Sequence, residues 1–76
     1  MTKRDFLRRL EDILETDEGS IKSEDALTNL KGWDSLAILV FMSMVDEEFG
    51  VTLSPQNLAR SRTVEDLMHL LGNKLN

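Results

Sequence analysis

An all-α fold is what this sequence predicts: a four-helix bundle with three main helices, one short third helix and a long loop between the first two. Three observations carry that reading. Apolar residues recur at helical spacing near both ends of the chain, cap-forming residues stand ahead of the helical stretches, and no segment reads as a strand. Thr2 with Asp5 forms a capping pair for the first helix, where Phe6, Leu7, Leu10, Ile13 and Leu14 repeat on one side. Glu11, Asp12 and Glu15 are expected on its solvated face. From Thr16 to Trp33 the periodicity stops, and Asp17, Gly19, Ser20, Ser23, Thr28, Asn29 and Gly32 mark a long connection. Isolated apolar residues Ile21, Leu27 and Leu30 predict that this loop is ordered and pinned to the core at three points.

Asp34 is a good N-cap, and Ser35 through Phe49 reads as the second helix, closed by Gly50. Leu39, Met42, Val45 and Phe49 cluster on one side and are expected to face the core. After the link Val51 to Leu53, Ser54-Pro55 opens a brief third helix ending near Arg60. Thr63 with Asp66 caps the last helix, along which Val64, Leu67, Met68, Leu71 and Leu75 form one apolar stripe.

The chain has 76 residues, enough for a single domain over 1–76. A domain of that size buries only about 60% of its unfolded surface. With no cysteine and one proline, packed helices have to supply the stability. The net charge of -5, from 14 acidic against 9 basic residues, excludes a nucleic-acid binder and suits basic partners. Met1-Thr-Lys-Arg runs into an amphipathic stretch, unlike the apolar core of an export signal. The most apolar run, Leu36 to Val45, is about half the roughly 20 residues a membrane span requires. A cytoplasmic monomer without membrane insertion is the expectation, and the early finish after Met1 favours a free-standing protein.

Gly32-Trp33-Asp34-Ser35-Leu36 sits where the long loop meets the second helix. Asp-Ser-Leu at that junction resembles the attachment motif of the acyl carrier protein family. The resemblance extends through the Asp46-Glu47-Glu48-Phe49-Gly50 ending and the Thr63-Val64-Glu65-Asp66-Leu67 start, which arrive in the family's order. It implies a 4'-phosphopantetheine joined to Ser35 by a phosphodiester, and a carrier of thioester-linked acyl groups rather than an enzyme. It also implies a phosphopantetheinyl transferase and acyl-activating, acyltransferase or synthase enzymes as partners. For Asp34 it implies a role with that transferase and its metal, beside the cap. Independently, a phosphodiester on the first residue of a helix would face unpaired backbone N–H groups and the positive end of the helix dipole.

Ala37, Val40, Ser43, Met44 and Glu47 recur at spacings of three and four, opposite the expected core face. Four short helices cannot easily bury both sides of so apolar a helix. With Asp34 and Leu36 these residues are read as a partner-docking face beside Ser35; the alternative is that Leu27 or Trp33 covers part of it. Acyl carriers of housekeeping fatty-acid synthesis commonly show acidic residues where this chain has Ala37 and Val40. Trp33, and an extra residue between Leu30 and Asp34, also depart from that group. A specialised fatty-acid, polyketide, lipid or polysaccharide pathway is therefore expected. By the same resemblance Phe41 and Ile38 could border an acyl-chain slot, although ordinary core filling is the favoured reading.

Two other constellations fail on context. A Ser35–His69–Asp34 triad lacks a nucleophile turn of the Gly-x-Ser-x-Gly kind. A calcium loop at Asp17, Gly19 and Glu24 would place Ile21 and Lys22 where oxygen ligands are needed. The remaining alternatives are an aminoacyl or peptidyl carrier, and an unmodified helical adaptor docking through the same strip.

Overall fold

A computed structural model describes residues 1–75. Among the described residues there are four α-helices and no strand: α1 (Lys3–Leu14), α2 (Ser35–Phe49), α3 (Pro55–Arg60) and α4 (Val64–His69). The expected all-α architecture holds. Local chemistry sets each start. Thr2 and Asp5 form a reciprocal capping box, as do Ser54 with Asn57 and Thr63 with Asp66, and Asp34 alone caps α2. Gly50 ends α2 with φ 67°, a conformation glycine adopts without a side-chain clash. Glu15 closes α1 in the left-handed region at φ 57°, with its own N–H and that of Thr16 returning to the carbonyls of Asp12 and Glu11.

The last helix is shorter than its apolar stripe suggests. Regular structure stops at His69, and after a turn at Leu70 and Leu71 a 3-10 turn follows at Gly72–Lys74. The stripe still packs, because Val64, Leu67, Met68 and Leu71 are all buried.

Among the described residues, fifteen apolar side chains make the core, with Phe6, Leu10, Phe41, Val45, Val64 and Leu67 at its centre. Phe6 of α1 meets Phe41 of α2 edge-on, with ring centroids 5.9 Å apart. The long loop is ordered, with Ile21 and Leu27 buried and Leu30 half-buried against the core. Its backbone also clasps the start of α4. Leu27 N–H donates to Arg62 O at 2.8 Å, Val64 N–H to Asp25 O at 3.0 Å and Glu65 N–H to Ser23 O at 2.8 Å.

One acidic residue departs from expectation. Glu11 is not on the solvated face of α1: it is 3% exposed, and its carboxylate accepts the Ile21 N–H at 3.1 Å. A buried carboxylate needs such a partner. The bond ties the loop to α1 ten residues downstream, and no local pattern announces it.

Candidate functional site

The loop delivers its last residues to the start of α2 through two tight turns. Trp33 N–H donates to Leu30 O at 3.3 Å, and Asp34 N–H to Gly32 O at 2.9 Å, with Gly32 at φ 91°. Trp33 is half-buried and lays its ring edge-on against Phe41, centroids 5.7 Å apart. Asp34 Oδ1 then accepts the Ala37 N–H at 3.0 Å, and its main-chain carbonyl accepts the Ile38 N–H at 2.9 Å.

Ser35 is therefore the first residue of a 15-residue helix, and it is exposed. The N–H groups of Ser35 and Leu36 have no preceding helical carbonyl to bond, and the helix dipole places positive potential there. An exposed hydroxyl beside free donors fits a phosphodiester-linked arm on both counts: the oxygen is reachable, and the anion would be compensated. The neighbouring Asp34 carboxylate is already engaged as the cap.

The exposed face of α2 differs from the expected one. Leu36 is 70%, Leu39 63% and Val40 45% exposed, with Ser43 and Glu47 exposed further along. Ala37 and Met44, expected on this strip, are instead in the core at 7% and 9%. Leu39, expected to face inward, takes their place outside. Val45 is buried as expected, Met42 and Phe49 are half-buried, and Phe41, expected at the margin, is fully enclosed. The cause is the composition of α2, which is apolar on nearly every side until Asp46, so its own pattern barely distinguishes the faces. In the fold the inward face is marked by Phe41, which meets the Phe6 and Trp33 rings edge-on within the core. Leu27 lies in the same buried core as Ala37 and Met44, and Trp33 packs against that core with its ring edge-on to Phe41, whereas Leu36, Leu39 and Val40 stay exposed. An apolar patch thus begins immediately after Ser35 and gives way to Asp46 and Glu47 at the far end.

His69 is exposed on α4. Glu11, expected in solvent, is buried, and Trp33, considered only as a cover for the α2 strip, packs on Phe41. Trp33 had a signal, since a lone tryptophan in a polar loop seldom stands free of the core.

The sequence model of the phosphopantetheine attachment site family matches residues 4–71. An acyl carrier protein of Petrotoga mobilis is 31% identical over 80 aligned positions, covering all of this chain and 94% of that relative. With its helical fold and the exposed serine opening α2, the chain belongs to the acyl carrier protein family, carriers whose prosthetic group is 4'-phosphopantetheine.

Proposed function

We propose that Ser35 is the attachment site, that residues 1–76 form a single carrier domain, and that the chain presents acyl groups to partner enzymes without catalysing their transfer. The observation that carries this reading is the exposed Ser35 hydroxyl at the capped start of α2, bordered by the exposed Leu36, Leu39 and Val40. When bound, the arm supplies the thiol that this cysteine-free chain lacks, on which acyl groups are held as thioesters. The chain's own residues do the rest. Asp34 holds the first turn of α2 in place, so that the Ser35 oxygen is presented to a phosphopantetheinyl transferase. Leu36, Leu39 and Val40 offer that enzyme, and the acyl-activating, acyltransferase or synthase enzymes that follow, an apolar contact beside the attachment point. Glu47 adds a charged margin. Apolar residues at this position, in place of a purely acidic surface, support a specialised fatty-acid, polyketide, lipid or polysaccharide pathway.

The experiment is to incubate the chain with coenzyme A and a promiscuous phosphopantetheinyl transferase and weigh it intact. The expected result is the gain of one arm, absent in Ser35→Ala. A gain that survives in Ser35→Ala would place the site elsewhere. An unchanged mass for the wild-type chain would favour an unmodified adaptor, which the exposed strip also suits.

A further inference from the structure

Between Leu30 and Leu36 the chain makes two turns, and Lys31, Gly32, Asp34 and Ser35 are all exposed. The side chain that anchors this stretch to the molecule is Trp33, edge-on to Phe41, which is itself fully buried against Phe6. The indole thus fixes the peptide unit preceding Asp34, and Asp34 Oδ1 in turn holds the Ala37 N–H at 3.0 Å. Gly32, at φ 91°, lends the turn no rigidity of its own. We propose that Trp33 is a positioning residue for modification of the chain: its packing on Phe41 keeps Asp34 in its capping geometry, and this holds the Ser35 hydroxyl in one presented position.

The inference rests on Ser35 being the attachment site, but its structural half is measurable without any arm. In Trp33→Ala the Phe41–Phe6 contact remains to support the core, while the turn before α2 is released. The Ala37 amide should then exchange with solvent roughly fivefold faster, the equivalent of losing one helix cap. The amide of Val45, at the centre of α2, should keep its protection. Loading by the transferase with coenzyme A should fall by a similar factor, and Trp33→Phe, which keeps a ring edge for Phe41, should restore both. Should Trp33→Ala not fold, Trp33→Leu carries the same comparison, since it keeps bulk without a flat edge.

Unchanged exchange at Ala37, equal acceleration at Ala37 and Val45, or undiminished loading would each overturn the proposal. Equal acceleration would mean that Trp33 serves only global stability. Failure of the wild-type chain to take any arm would instead overturn the Ser35 assignment, and the Ala37 exchange would still decide whether Trp33 holds the cap.

Discussion

Val40 and Met44 stand one helical turn apart on α2, yet Val40 is 45% exposed and Met44 only 9%. Glutamate at the two positions should therefore have opposite consequences. Val40→Glu puts charge into solvent and should change stability by about 0.5 kcal/mol or less. In the proposed docking role it should slow a cognate partner by roughly tenfold, the effect of losing one central contact worth about 1.4 kcal/mol. Met44→Glu buries an unpaired carboxylate beside the core and should cost on the order of 3 kcal/mol or more. Thermal melts together with cognate loading rates decide the matter. A stable Val40→Glu that loads normally would remove the docking role, and a stable Met44→Glu would contradict the packing of α2.

At the scale of elements, the caps carry the electrostatics. Asp66 accepts the N–H groups of Arg62 at 2.9 Å and Thr63 at 3.1 Å, and these bonds hold its carboxyl below the usual range. Asp5 is lowered in the same direction, first by the backbone N–H of Thr2 and then by the Thr2 hydroxyl. A carboxyl whose folded pKa is depressed contributes stability in full above its unfolded value, about 4, and loses that contribution as pH falls through the lower folded value. Melting temperature should thus fall more steeply below about pH 4 in the wild-type chain than in Asp66→Asn, which keeps an acceptor oxygen but does not titrate. Parallel curves from circular dichroism melts would show that the cap does not respond to protonation.

Across the whole molecule, the long loop is part of the core. Leu27 is 4% exposed, and its own N–H and the carbonyls of Asp25 and Ser23 before it are bonded to the start of α4 and the residues leading into it. Leu27→Ala should cost about 2–4 kcal/mol, a large share of the stability of a small domain. Leu30 is only half-buried, so Leu30→Ala should cost roughly half as much. Urea unfolding measures both, and a loss below about 0.5 kcal/mol for Leu27 would mean that the loop contributes little to the fold.

The sequence by itself determined what depends on neighbours within a few positions. Thr2 with Asp5, Asp34, Gly50, Ser54-Pro55 and Thr63 with Asp66 each act over four residues or fewer, so helix starts and the end of α2 are legible as written. Ile21 and Leu27 were legible as anchors because each is apolar in a polar stretch, where burial is the strongest force acting on it. Ser35 stood out for its place after Asp34 at a loop–helix junction. Tertiary structure alone decided which side of α2 turns inward. A helix apolar nearly all round has no preferred azimuth of its own, and tertiary packing, in which the Phe6 and Trp33 rings meet Phe41, gives it one, with Ala37 and Met44 buried and Leu39 outside. The same holds for Glu11, whose burial requires an N–H ten residues away, and for the clasp between the loop and α4, which is made by backbone groups common to every residue type.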